Sequence, residues 1–333
     1  MEEKLFAHVI VDVLSSAVDK IFVYETEEAS VLGHRVLVPF GTRIVEGYVL
    51  KVDNSAKFSG NIKKIIKKVD GFAILNEERL AIVEFMRVKF HLKYIDILRL
   101  FLPSELRTNK VGELFTTYFS LNKNINLEQY SNSLRKNSKN IFSLLIYLKE
   151  HKSEKSSVLS KLFTHSALDK LKKDKVLIEE KFKIERSPEV LNHNFINVEH
   201  TKYQKHAIQK ICQFENKTIL LHGVTGSGKT EVYLSCIEKA LANGKSAILL
   251  VPEISLTPIV LAALKSRFGN NVAILHSGLS AGERFDEWSR ILNQEAKVVI
   301  GARSAIFAPL ENIGIIIIDE EHDSSYQSDS NPR

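Results

Sequence analysis

Only two cysteines, Cys212 and Cys236, occur in 333 residues, with one tryptophan and two methionines. So few thiols suit a reducing cytoplasm and exclude a multi-cysteine zinc site within this chain. No run of about 18 apolar residues appears, which excludes a membrane-spanning helix. The opening MEEKLFAHVIVDV is acidic and alternating. It lacks both the apolar block of a signal peptide and the arginine-rich character of a transit peptide. Repeats and low-complexity tracts are also missing. What remains is a globular composition, 44% apolar and 26% charged, long enough for two or three domains.

The net charge of +6 is unevenly spread: residues 1–70 hold 10 basic and 10 acidic groups, 71–190 hold 22 and 15, and 191–333 hold 14 and 15. A basic middle beside neutral flanks fits either a polyanion partner such as nucleic acid or a solvated lysine-rich surface.

Hydrophobic period changes along the chain. AHVIVDV, RVLVPF, EGYVLKV and NIKKIIKKV predict short strands, with a turn in PFGTR (Pro39 to Arg43), hence a small β-barrel or sandwich. In 76–102, Leu80, Val83, Phe85, Val88, Tyr94, Ile97, Leu98 and Phe101 recur at helical spacing, and Pro103 closes the run. Residues 1–105 are thus read as one β-rich domain ending in helices, and the polar, asparagine-rich 106–138 as a linker. In 139–190, three helical patterns precede VLIEEKFKIE, read as a two-stranded wing. Together they predict a winged-helix domain, which serves DNA contact or acts as a spacer.

From 195 to 333, strand and helix alternate. TILLHG, SAILLVP, VAILHS, KVVIGA and GIIIIDE are continuous apolar runs, as in parallel strands buried on both faces. They predict an α/β lobe with its reactive groups at the carboxyl ends of the strands. GVTGSGKT (Gly223, Val224, Thr225, Gly226, Ser227, Gly228, Lys229, Thr230) fits the full phosphate-loop pattern between a strand and a helix. Its glycines let backbone N–H groups wrap a phosphate chain. Lys229 is assigned to the β- and γ-phosphates of ATP, and Thr230 to Mg²⁺. Asp319, just past the isoleucines, is the second Mg²⁺ ligand expected, and Glu320 the group that orients or deprotonates water. Ser255 or Thr257 is read as capping a helix that has Pro258 in its first turn.

Asp319-Glu320-Glu321-His322 resembles motif II of superfamily 2 helicases, which brings His322 into the catalytic set. Gln204 lies 19 residues before the loop, where such helicases use a glutamine to read adenine. HGVTGSGKTEVY, VPEISLTP, HSGLSAGERFDEW, IGARSAIFAPL and IIDEEHDSSYQ, in this order, closely resemble the family of primosomal protein N′, bacterial replication-restart DNA helicases. GHRVLVPFGTRIVEGYVL resembles that family's 3′-end DNA-binding domain.

The resemblance implies an ATP-driven 3′→5′ helicase, bacterial and cytoplasmic, acting on forked and single-stranded DNA. Its implied partners are primosome proteins and the single-stranded-DNA-binding protein; no membrane is involved. The family's Phe-Asp-Tyr pocket corresponds here to Phe22, Val23 and Tyr24, and Val23 cannot accept an aspartate's hydrogen bonds. Phe22, Tyr24, Arg303 and Tyr326 are the candidate DNA contacts. The family's second lobe with arginine fingers, its zinc-binding cysteine pairs and its C-terminal domain have no counterpart in these residues. The chain is therefore expected to be an N-terminal part, binding ATP and DNA but hydrolysing and unwinding poorly alone. Two other readings stand beside this: a P-loop enzyme of small-molecule metabolism such as a kinase, and a non-catalytic DNA-binding module.

Overall fold

The structure, a computed structural model, describes residues 4–55, 61–107, 111–134, 138–184, 186, 199–214, 216–224, 226–252 and 258–327. The chain divides into two units: one joins Met1–Val111 with Ser187–Arg333, and the other is Gly112–Arg186.

The first unit opens with β1 (Leu5–Val11), β2 (Phe22–Thr26), β3 (Arg35–Phe40), β4 (Arg43–Asp53) and β5 (Lys67–Lys68). They form an antiparallel sheet in the order β2-β1-β4-β3-β5. Phe40 pairs with Arg43 across a two-residue turn in which Gly41 takes φ +59°. Period-two alternation gives β1 two buried faces. Ala7, Val9 and Val11 join Tyr24, Val36, Val38 and Val49 in one core. Ile10 and Tyr48 point to the other. The backbone N–H of Glu25 donates to Lys63, and that of Ile65 donates back to Glu25. The chain before β5 thus ties itself to β2 at the opposite edge, giving a barrel-like closure. Arg35 is fully buried, its guanidinium forked onto Asp70 at 2.9 Å for both bonds and reaching Glu46 at 3.0 Å. A buried charge persists only with such pairing.

Three helices follow: α1 (Glu77–Phe90), α2 (Tyr94–Leu98) and α3 (Ser104–Arg107). Asn76 caps α1 by accepting from the Arg79 N–H, and His91 ends it in a left-handed turn at φ +53°. The periodicity reading is only partly right here. Val83 is in the core, but Phe85 and Val88 are 56% and 65% exposed. Phe85 and Val88 lie two and five residues from Val83 in the same helix, about 200° and 140° around it, so neither shares its buried face.

Beyond 187 the same unit holds α8 (Lys202–Gln213), α9 (Lys229–Ala242), β9 (Ser246–Leu250), α10 (Pro258–Phe268), β10 (Val272–Leu275), α11 (Ala281–Leu292), β11 (Val298–Gly301) and β12 (Ile313–Ile318). The strands form a parallel sheet in the order β10-β11-β9-β12. β9, β10 and β11 are buried throughout, as their apolar runs predict. β12 is an edge strand and alternates, with Ile316 and Ile318 half exposed. The strand expected at Thr218–Gly223 does not form: the segment joins no ladder, and Leu220 stays 76% exposed. Apolar sequence alone makes no strand without a neighbour to bond.

Phe285 and Trp288 of α11 enter the core that Ile97, Leu98, Phe101 and Leu102 build around α2. Trp288 packs on Phe72 with ring centroids 5.5 Å apart, and Phe101 meets Phe307 edge-on at 5.4 Å. The N-terminal domain and the parallel-sheet lobe therefore share buried aromatic surface.

The second unit contains β6 (Leu114–Leu121), α4 (Leu127–Ser133), α5 (Lys139–His151), β7 (Ser153–Lys155), α6 (Ser156–Leu162), α7 (His165–Lys173) and β8 (Leu177–Ile184). Its antiparallel sheet has the order β7-β6-β8. Two expectations are corrected. The linker 106–138 carries β6 and α4, and LFTTYFSL is rich in the β-branched and aromatic residues that favour a strand. VLIEEKFKIE is no hairpin: β8 is one strand, paired with β6 from Leu114↔Ile184 to Leu121↔Leu177. No glycine, proline, asparagine or aspartate interrupts Val176–Ile184, so nothing bends it.

Trp288, 3% exposed, is the chain's single tryptophan, so its fluorescence reports the shared core. Trp288→Ala is expected to cost about 3–5 kcal/mol. In urea, the tryptophan emission of the unmodified chain is expected to red-shift together with the loss of far-UV signal from both sheets. An emission change well before that loss would mean that the shared core opens first.

Candidate active site

The phosphate loop enters α9 through Gly226 and Gly228, at φ +78° and +80°. Gly228 is the N-cap of α9. Among the described residues no side chain caps the start of this 14-residue helix, the arrangement that favours an anion. The left-handed backbone at 228 favours glycine, and a β-carbon there would meet Gln204 Nε2 at 2.3 Å and displace that side chain from the loop. Lys229 turns back on its own loop, donating to the carbonyls of Gly223 at 2.9 Å and Val224 at 3.4 Å. Thr230 is exposed. Thr225 lies outside the described residues, as do Ser255 and Thr257.

Gln204 is set by a capping box at the start of α8. Its N–H donates to Thr201 Oγ1, and its Oε1 accepts from the Thr201 N–H at 2.8 Å. The remaining amide nitrogen donates to the carbonyls of Ser227 at 3.3 Å and Gly228 at 3.5 Å. Local capping therefore fixes the side chain that touches the loop.

Asp319 follows β12, and its N–H extends the ladder to Leu250 O at 2.9 Å. Its carboxylate Oδ1 accepts from the Tyr233 hydroxyl at 3.0 Å, and its carbonyl accepts from the Tyr326 hydroxyl at 2.8 Å. Tyr233 is on α9, one turn after Lys229. It brings the acid to the helix that begins at the phosphate loop. No motif in the sequence marks Tyr233. The available signal was its i+4 spacing from Lys229, which places both on one helix face. Burial first, then the nearby Asp319 charge, raise the pKa of the Tyr233 and Tyr326 hydroxyls above the ordinary value.

The other candidates are placed less closely. Glu320 is exposed and takes φ +48°, an unusual turn conformation for a side-chain-bearing residue. His322 is exposed and meets Glu321 Oε2 at 3.4 Å. Arg303 is exposed at the start of a short 3₁₀ turn after β11. Phe22 packs edge-on against Phe40 at 5.1 Å. Tyr24 is 4% exposed and packs in the core of the first sheet, with its hydroxyl donating to the Pro39 carbonyl. Tyr326 is half-buried, its hydroxyl committed to Asp319.

Comparison with known proteins bears on both halves of the first unit. A family model described as DEAD/DEAH box helicase matches residues 201–332, and one described as 3′DNA-binding domain (3′BD) matches 8–103. Replication restart protein PriA of Bacillus subtilis (strain 168) is 34% identical over 404 residues, covering 98% of this chain and 50% of that protein. Its counterpart in Haemophilus influenzae is 34% identical over 314 residues, covering 90% of this chain and 42% of that protein. That of Treponema pallidum (strain Nichols) is 58% identical over 117 residues, covering 35% of this chain and 18% of that protein. The chain spans about half the length, or less, of these curated relatives.

Tyr233→Phe is expected to cost about 1.5–3 kcal/mol in urea unfolding, the range for a hydrogen bond to a charged group. A raised folded-state pKa gives stability that is present below the hydroxyl's ordinary value near 10 and lost as pH climbs through the folded value. Stability is therefore expected to fall above about pH 10, and less steeply in Tyr233→Phe. Equal slopes in both proteins would contradict this.

Proposed function

The chain belongs to the PriA family of replication restart proteins, and we propose from that premise that 195–333 is the ATP-binding lobe of a DNA helicase and that residues 1–105 read a DNA 3′ end. The observation that carries the motor reading is the Tyr233–Asp319 hydrogen bond, which links an uncapped, glycine-entered helix to an acid at a strand end.

In this reading, the N–H groups at the start of α9 receive the phosphates. Lys229 leaves the Gly223 carbonyl to meet the β- and γ-phosphates. Gln204 recognises adenine from its place beside the loop. Glu320 orients the attacking water, with His322 beside it. Thr230 and Asp319 are the residues that would hold magnesium. Their donors are a hydroxyl and a carboxylate, the hard oxygens that Mg²⁺ prefers, and Mg²⁺ usually takes its other ligands from phosphate and water. Among the described residues no three histidine, cysteine or acidic side chains form a metal cage. When bound, the ion neutralises phosphate charge.

The finer reading is 3′→5′ movement on single-stranded DNA, recognition of stalled forks and initiation of primosome assembly, in a bacterial cytoplasm. Primosome proteins and the single-stranded-DNA-binding protein are the proposed partners. Phe22 and the exposed Arg303 remain the proposed DNA contacts. The order α5, β7, α6, α7, β8 supports a winged helix in which β6 supplies the third strand. These 333 residues alone are proposed to bind ATP but turn it over slowly. Positive charge on the γ-phosphate from a second lobe is worth 10³ or more in rate.

Calorimetry with ATP and Mg²⁺ tests the motor half. The chain is expected to bind, and Lys229→Ala to bind at least tenfold more weakly, about 1.4 kcal/mol. No magnesium-dependent binding by the unmodified chain would overturn the reading. Fluorescence anisotropy with forked DNA tests the other half. A free leading-strand 3′ end is expected to bind more tightly than a blocked one, and equal affinity would sink 3′-end recognition.

A further inference from the structure

Cys212 and Cys236, the chain's two cysteines, have no part in the chemistry above. Cys212 is exposed in the last turn of α8, and Cys236 is 3% exposed in the middle of α9. Their sulfur atoms are 4.0 Å apart. Between them, Ala207, Ile208, Ile211 and Val232 pack the two helices together.

We propose that Cys212 and Cys236 form a disulfide site that, on oxidation by a peroxide, fastens the glutamine-bearing helix α8 to the phosphate-loop helix α9. The bond would close a loop between residues 24 apart, and that loop contains the whole phosphate-binding segment 223–230. Gln204 is eight residues before Cys212 on α8, about 12 Å along the axis. One end of α8 already bonds the loop through Gln204, and oxidation would secure the other end.

The chemistry balances with one peroxide. Cys212 is the accessible sulfur and reacts first. It attacks a peroxide oxygen, the O–O bond breaks, an S–O bond forms, and one water leaves with the sulfenic acid behind. The Cys236 sulfur then attacks the Cys212 sulfur. An S–S bond forms, the S–O bond breaks, and a second water leaves carrying the remaining proton. Two thiols are oxidised and one hydrogen peroxide is reduced to two waters. Burial, and Cys212 beside it, push the Cys236 thiol up to about 12, so closure is expected to speed as pH rises. The sulfurs must approach by about 2 Å to reach bonding distance. The last turn of α8, where helices fray, is the place able to move.

Hydrogen peroxide treatment, alkylation under denaturing conditions and mass spectrometry test the proposal. The expected result is a monomer 2 Da lighter with no alkylatable thiol and one cross-linked peptide pair holding both cysteines, formed faster at pH 9 than at pH 7. Its melting temperature is expected to rise by several degrees, because closing the loop restricts the unfolded chain, and to return with dithiothreitol. Cys212→Ser, a change at an exposed position, is expected to show neither cross-link nor shift. Sulfinic acid on Cys212 with Cys236 still alkylatable, or a disulfide-linked dimer, would overturn it. A cross-linking chain that fails to bind ATP would refute the proposed function and leave this site standing.

Discussion

A single phenol hydroxyl holds the candidate site together. Tyr233 donates to the Asp319 carboxylate, and the two residues come from elements 86 positions apart in the chain. On one side, α9 begins at the loop glycines and carries Lys229 and Tyr233 four residues apart on one face. On the other, β12 delivers Asp319 to the carboxyl end of the sheet, where its N–H still bonds Leu250 of β9 and its carbonyl accepts from Tyr326. Three hydrogen bonds thus locate one residue. The bond's value depends on burial: a half-buried acceptor in a low-dielectric setting holds a donor that water would otherwise replace.

That site rests on a frame shared with the N-terminal domain. Trp288 and Phe285 of α11 are packed among Ile97, Leu98 and Phe101, and the same helix anchors the sheet, since Glu287 Oε2 accepts from the Ile274 N–H of β10 at 2.7 Å. A helix that serves both a sheet strand and a neighbouring domain joins their stabilities. In the proposed function, it gives a DNA-reading domain a rigid connection to the lobe that binds nucleotide.

The sequence made the parallel core legible because buried strands have no polar alternation to confuse the pattern: β9, β10, β11 and β12 all fall in the apolar runs. It misled at Thr218–Gly223, where composition was right but no neighbouring strand pairs with it. It misled again at Leu114–Leu121, hidden in a polar stretch, and at Leu177–Ile184, where an expected wing is one straight strand. Helical spacing was read too loosely in α1: Phe85 and Val88 lie two and five residues from the buried Val83, about 200° and 140° around the helix, and face outward. Motif and spacing put the phosphate loop at a helix start and Asp319 at a strand end, where the fold has them. Tyr233, Tyr326 as the brace of Asp319, and the burial of Tyr24 and Arg35 were not legible. Those depend on contacts between distant segments, which no local pattern encodes.

A double-mutant cycle on ATP affinity in the presence of Mg²⁺ tests the central claim most directly, using Tyr233→Phe, Asp319→Ala and the pair. If the hydrogen bond is what delivers Asp319 to the loop helix, the double variant binds scarcely worse than Asp319→Ala, with a coupling of about 1 kcal/mol or more. Losses that add to within about 0.3 kcal/mol would show that the two side chains act independently and would contradict the account.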